Sequence, residues 1–352
     1  MKLHRKCLNM LAISAVALAL VSAVIANFGC VSKSKSSSSE IRILTYSSLG
    51  ASGGFLDSIK SEFETESSCK LVITTTMGAS QILSYLDEPK QREQIDLVMG
   101  IDTLLFERTK SDFYLGDPPH FQFQNKILPI LKSQFTRGFI PTDFGALSFI
   151  YRKADFKEKT IPSSFDDFLK PELKGKWIVQ DPRASSPGLL FFLFADSLLA
   201  NFANLKTQWA TLAPSWDSSY KMFMAHDSSM VWSYLTSLAY HASKGEKDQY
   251  GSIDFKEGLP IQLEGMAVLN RVGNPYLANP CIEKWMQFIL SPGVQTKMSN
   301  KQYMMPAIAD PTLPPYFNQV PAVKKIANLE LSLEKVDHVM NRFEREVSGG
   351  SR

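Results

Sequence analysis

The sequence predicts an α/β protein of two lobes, each a mostly parallel sheet covered by helices, with a cleft between them. Three observations predict it. Strand-like and helix-like patterns alternate between Ile41 and Gly100, the signature of βαβ units. A second alternation begins at Ser163. Two extended apolar segments, Gly138 to Tyr151 and Leu259 to Leu263, read as strands that leave one lobe and cross back. At 352 residues the chain has ample length to bury the cores of one large or two medium domains.

Lys2, Arg5 and Lys6 precede an apolar run from Leu11 to Ala26, so residues 1–29 read as an export signal. Gly29 before Cys30 predicts lipoprotein processing, with Cys30 as the acylated N-terminus. Asn27 and Phe28 differ from the aliphatic and small residues usual there. An uncleaved membrane anchor and a plain signal cut nearby are the alternatives. Residues 30–40, with Ser36-Ser37-Ser38-Ser39, read as a polar tether.

Ile41 to Tyr46 is a strand, Ser47 to Gly54 a loop, and Phe55 to Glu66 a helix with Phe55, Ile59 and Phe63 on one face. Lys70 to Thr75 is the next strand. Met77 to Ser80 turns into a helix carrying Ile82, Leu83 and Leu86, and Ile95 to Gly100 is a third strand. Ligands bind such sheets at the loops beyond the strand C-termini, so 46–48, 75–78 and 100–102 are the first lobe's candidate ligand loops. The crossing strands divide the chain into lobe 1, residues 41–144 and 265–352, and lobe 2, residues 145–264.

In lobe 2, Trp177 to Val179 is a strand that runs into Gln180-Asp181-Pro182-Arg183-Ala184-Ser185-Ser186-Pro187-Gly188. Two serines before a proline predict a capped helix start, and such a mouth suits a hydroxyl, carboxylate or phosphate. The almost wholly apolar helix from Pro187 to about Leu199 belongs in a core. Ser215 to Tyr220 opens another helix, with Ser215 or Asp217 as cap. Met230 to Tyr234 is a strand leading into Leu235 to His241. Pro280 to Leu290 is an amphipathic helix ended by Ser291-Pro292-Gly293, and the charges from Glu334 to Glu346 read as the solvated face of a terminal helix.

Thirty-eight Lys and Arg face 35 Asp and Glu, and without Lys2, Arg5 and Lys6 the two are equal. A neutral chain with no basic stripe excludes nucleic acid as the main partner. Cys69 and Cys281 are the cysteines left after Cys7 and Cys30. A disulfide between them suits an exported protein, but their separation favours two buried thiols. The five histidines show no metal-ligand spacing, and no metal site or cofactor is expected. There is no G-x-S-x-G elbow, metal-binding His cluster or P-loop, so binding is expected rather than catalysis.

The motif QDPRASSPG, Ser215-Trp216 with Tyr220, and SYLTSLAYH from Ser233 to His241 together resemble the thiamine-binding proteins of bacterial ABC importers. The similarity runs from about Ile41 to the C-terminus and includes Asp96 to Asp102, Pro141 to Gly145, and Phe288 to Gln295. The last of these is shared widely among extracytoplasmic solute-binding proteins. The resemblance implies a type II periplasmic-binding-protein fold, closing on one ligand molecule. It nominates Ser185, Ser186, Trp216, Tyr234, Leu235, Thr236 and Ser237 in lobe 2, and Tyr46, Met77, Gly78 and Tyr303 in lobe 1. It also implies thiamine, thiamine phosphate or thiamine diphosphate as ligand, an ABC permease as partner, and a periplasmic, lipid-anchored monomer.

Three positions depart from the family pattern. Ser47 and Met77 stand where aspartates are usual, and Tyr303 where tryptophan is common. A thiazolium cation needs carboxylates or aromatic faces around it, and a phosphate ester would bring its own counter-charge. Asp102 and Asp143 read as helix caps or hinge ties, Arg183 as the partner of a neighbouring carboxylate, and His241 as a structural hydrogen-bonder. The rival readings are a binding protein for ferric iron, a polyamine or a phosphonate, and a thiamine-pathway enzyme on the same fold.

Overall fold

The computed structural model describes residues 39–109, 113–114, 127–132, 138–156, 161–270, 279–309 and 311–349. The export signal, Cys30 and the tether up to residue 38 lie outside them. Strand β1 (Glu40–Tyr46) buries Ile41, Ile43 and Leu44 completely. Ser47–Gly50 forms one helical turn where a loop was expected. Helix α1 (Phe55–Ser67) then buries Phe55, Ile59 and Phe63 along one stripe, as their spacing demands. Strand β2 (Lys70–Thr76), helix α2 (Ser80–Asp87), strand β3 (Leu97–Asp102) and helix α3 (Thr103–Arg108) complete the first alternation.

Strand β4 (Ile140–Arg152) passes into the second half of the protein. There follow β5 (Trp177–Gln180), α4 (Ser186–Asp196), β6 (Thr211–Ala213), α5 (Trp216–Met224), β7 (Met230–Tyr234), α6 (Ser237–Ser243) and β8 (Tyr250–Ser252). Strand β9 (Ile261–Val268) returns. Helices α7 (Pro280–Ile289) and α8 (Pro292–Gln302), the short β10 (Met305–Pro306) and helix α9 (Leu333–Phe343) end the fold.

The strands run in the order β2-β1-β3-β9-β4-β7-β5-β6, with β8 and β10 also paired to β4. Strand β1 is parallel to β2 and β3, and β5 to β6 and β7. The pairs β3–β9, β9–β4 and β4–β7 are antiparallel. The expectation of a mostly parallel sheet is therefore corrected to a mixed one. A chain that leaves a lobe and comes back must reverse direction, and its two crossing strands pair with each other.

Two large apolar clusters stand on either side of the crossing. One gathers β1, α1 and α7 around Phe63, Trp285 and Phe288. The other surrounds α4, where Phe191, Phe192 and Phe194 meet Trp177, Trp232 and Phe149. Every residue of α4 from Pro187 to Ala195 is buried, at about 1.5–3 kcal/mol for each large side chain. Gly188 lets this helix start directly against β5, since a Cβ there would fall 2.5 Å from the Gln180 carbonyl oxygen.

Two expectations are corrected here. Helix α9 packs on the second cluster through Val336, Val339 and Phe343, with Phe343 4.8 Å from Phe192. Its charges are not all solvated as expected: Arg342 is buried against Asp196 and the Ala200 carbonyl. Cys69 and Cys281 form a disulfide, with Cα atoms 5.9 Å apart, and are not free thiols. Asn279 explains the proximity, because it caps α7 through Cys281 N–H while its amide holds the Glu40 carbonyl at the start of β1.

That bridge spans 212 residues, so its loss releases a long loop in the unfolded chain. The double change Cys69→Ser, Cys281→Ser is expected to lower stability by about 2–5 kcal/mol, read as a lower urea midpoint relative to the wild type.

Candidate ligand-binding site

A cavity of about 400 Å³ opens between the two halves, within the range of small-molecule pockets. Trp216, Asp217, Tyr220, Lys221, Met224, Tyr234, Thr236, Ser237 and Tyr240 line it from one side, and Gln302 and Tyr303 from the other; Asp217 and Lys221, both largely exposed, pair with each other at 2.6 Å. Ser215 places Trp216, since its hydroxyl accepts Ser218 N–H in a capping box and fixes the start of α5. The Trp216 ring stacks on Tyr220 at 5.1 Å and donates its Nε1–H to Ser233 Oγ at 2.9 Å. Ser233 Oγ meets Ser237 Oγ at 2.9 Å, tying the strand to the helix that follows.

Tyr303 closes the opposite wall. It sits at the C-cap of α8 in the left-handed region, φ 53°, a conformation non-glycine residues adopt at a cost. From there its hydroxyl reaches Ser243 Oγ at 3.0 Å, and its ring meets Tyr240 edge-on at 5.3 Å. Behind the pocket, Tyr220 hydroxyl and Glu246 hold the two nitrogens of the buried His241, whose pKa burial lowers. His241 is thus structural, and Arg183 pairs with Asp181 and Glu344.

Of the nominated residues, Trp216, Tyr234, Thr236, Ser237 and Tyr303 line this pocket. Leu235 is buried in the second cluster. Met77 is 83% exposed and does not line the pocket. A Cβ on Gly78 would fall 3.9 Å from the Ala184 carbonyl oxygen, and Ser80 Oγ donates to the same oxygen at 3.2 Å, so the turn meets the opening motif directly. Ser185 caps α4 through Gly188 N–H. Ser186 Oγ is buried beside the Asp102 carboxylate, so an acidic side chain already stands at that helix mouth.

Tyr46 leads to the feature that the sequence did not reveal. Its hydroxyl donates to Glu264 Oε2 at 2.9 Å. Glu264 lies directly opposite Asp102 on β3 and opposite Asp143 on β4. Directly opposed residues share a face, so three carboxylates form a row across three strands. Register shifts in β3 between Met99 and Ile101, and in β4 between Pro141 and Asp143, flank it. Tyr234 covers the same face of β4, because a Cβ on Gly145 would fall 2.6 Å from its ring.

Asp102 is 3% exposed and Asp143 5%. Asp102 accepts Leu105 N–H and Asp143 the Thr142 hydroxyl, but Asp102 Oδ2 and Asp143 Oδ1 have no partner among the described residues. Burial pushes Asp143 up to about 7, and burial together with the Asp143 charge raises Glu264 well above the carboxylate range. Burial also raises Asp102. Asp102 caps α3, as expected from the sequence, and also stands in this row with Asp143; the crossing strand expected over Leu259 to Leu263 ends one residue short of Glu264. The available signal was an acidic residue within apolar strand sequence two residues or fewer from a glycine: Gly100, Gly145 and Gly265.

A polar-edged, aromatic pocket between two α/β halves joined by paired crossing strands defines a binding protein for a small solute. The family model described as bacterial extracellular solute-binding protein matches residues 93–328, and the chain belongs to that family. The thiamine-binding periplasmic protein of Salmonella typhimurium is 28% identical over 302 residues, 84% of this chain and 88% of that protein. A solved periplasmic thiamin binding protein superposes with a TM-score of 0.75 at 26% identity, covering 89% of this chain and 96% of that one. A ferric binding protein from Campylobacter jejuni, TM-score 0.69 at 16% identity, covers 89% and 100% and shares the fold. The architecture is the type II fold of periplasmic binding proteins.

The carboxylate row makes stability depend on pH. Asp143 binds its proton more tightly folded than unfolded, so its contribution is full below the unfolded pKa of about 4 and is lost as pH rises through about 7. Glu264 acts in the same direction. The ligand-free protein is expected to melt at a lower temperature at pH 8 than at pH 5.5, and Asp143→Asn to flatten that slope in a thermal-melt series.

Proposed function

We propose that this protein is the periplasmic solute-binding component of an ABC importer, capturing thiamine between its lobes and delivering it to a membrane permease. The observation that carries the reading is the pocket walled by Trp216, Tyr234, Tyr240 and Tyr303 between the two halves. Aromatic faces receive a ring cation by cation–π attraction, worth roughly 0.5–2 kcal/mol for each well-placed ring. Similarity to thiamine-binding periplasmic proteins along most of the chain supports the same ligand. The work done is equilibrium binding. Ligand touching both walls favours the closed state by the contacts it gains there, and the closed form is what the permease receives.

The free vitamin is favoured over its phosphate esters. Asp102 beside Ser186 puts negative charge at the helix mouth that a phosphate would use, and like charge there weakens anion binding. Trp216, Tyr234, Thr236, Ser237 and Tyr303 are the ligand contacts of this reading, with Ser185 and Leu235 holding the backbone beneath them. Cys30 carries the lipid that keeps a monomer at the membrane; mass spectrometry of the detergent-extracted protein is expected to find a diacylglyceryl group on Cys30 at the mature N-terminus.

Titration calorimetry is expected to give a one-to-one complex with thiamine, tighter than with thiamine phosphate or diphosphate. Trp216→Ala should weaken it by about 2- to 30-fold, the cation–π range. Absence of heat and of any thermal shift with all three compounds sinks the assignment.

A further inference from the structure

The residues nominated by resemblance leave the ligand's positive charge facing only aromatic rings and hydroxyls. We infer that Asp143 and Glu264, with Asp102 beside them, form the anionic seat for the ligand's ring cation at the floor of the cleft, between Tyr46 and Tyr234. The inference rests on the proposed ligand class.

Four observations carry it. The register sets the three carboxylates side by side on β3, β9 and β4. No ion pair among the described residues includes any of them, and Arg108 acts on Asp102 only as the last of several influences. Asp143 Oδ1 is buried without a hydrogen-bond partner among the described residues, an expensive arrangement unless another group completes it, whereas Asp102 has the Ser186 hydroxyl beside it. Tyr234 joins the row to the pocket, since it lines the cavity and lies over β4 two residues from Asp143.

The chemistry selects an organic cation. Among the described residues no group of three or more His, Cys, Asp or Glu converges closely enough to hold a metal ion. A cation whose charge is spread over a ring needs no such convergence, and it meets both carboxylate and tyrosine face. Without it the row keeps its neighbours' repulsion down by holding a proton. Binding the cation expels that proton.

The groups facing Asp143 are Glu264 from β9, Asp102 from β3, Tyr46 from β1 and Tyr234 from β7. Strand β10 brings Met305 and Pro306, which do not titrate, and α8 reaches the Thr142 carbonyl through the Gln295 amide. Burial, and after it the charge of these carboxylates, raises both tyrosines, so they stay protonated, and Asp143 with Glu264 governs the pH response.

Calorimetric titration of the full chain with thiamine between pH 6 and pH 8, where thiamine keeps one charge, tests the seat. Wild-type affinity is expected to rise about tenfold across that range, as for one site titrating near 7. Asp143→Asn is expected to weaken binding at pH 8 by about tenfold or more and to abolish the rise, while Glu264→Asp retains both. Should Asp143→Asn not fold, Glu264→Gln, which keeps an acceptor for Tyr46, supplies the same readout. Variants that bind within about twofold of wild type, or that lose affinity with the pH profile unchanged, overturn the seat while leaving thiamine binding intact. A wild type that binds no thiamine overturns the proposed function and the seat together.

Discussion

Asp143 lies opposite Glu264 because β9 returns to the first half of the protein against β4, and that one pairing sets both the path between the halves and the charge buried where they join. The same strand then pairs β3, bringing Asp102 into line. Side chains of like charge on adjacent strands repel, and burial removes the water that would screen them. A fold that keeps this row must protonate it or neutralise it from outside. Large apolar clusters flank the row in both halves of the protein.

The walls of the pocket obey a different logic. Trp216 is held from behind by Ser233 and from the side by Tyr220, so its face is fixed before anything binds. Tyr303 is contributed by the other half and reaches Ser243 and Tyr240 only when the two are close. The Ser80 contact to the Ala184 carbonyl is of the same kind. These contacts separate closed from open states, whereas the fixed rings do not. Closure is then a balance between a few lobe-to-lobe bonds and whatever the ligand adds to both walls.

Most of the fold was legible because periodicity reports burial. Phe55, Ile59 and Phe63 had to share a helix face, and the unbroken apolar run of α4 had to be internal. The crossing strands were legible from length and composition, but their mutual pairing was not, since register between residues 120 apart leaves no local trace. The disulfide failed for that reason too: Cys69 and Cys281 meet only through the way Asn279 anchors α7 to β1. The apolar stripe of α9 says that it packs, without saying where. In the site, the aromatic residues were reachable through motif likeness, and Glu264 was not, because no motif contains it.

Placing the counter-charge on the hinge rather than on the first-lobe turn changes what that charge does. A carboxylate on the turn at Met77, 83% exposed here, would be solvated in an open protein and would gain its value only on closure. A seat on β4 and β9, the paired strands that join the halves, would keep nearly the same surroundings whether the cleft is open or shut. Charge at the hinge therefore raises affinity for a cation in both states and leaves the balance between them to Tyr303 and the aromatic wall. Selection for positive charge and the signal that the cleft has closed are thereby carried by different residues. With Ser47 and Met77 in place of acids, such a seat would move electrostatic recognition to the strands that join the two halves.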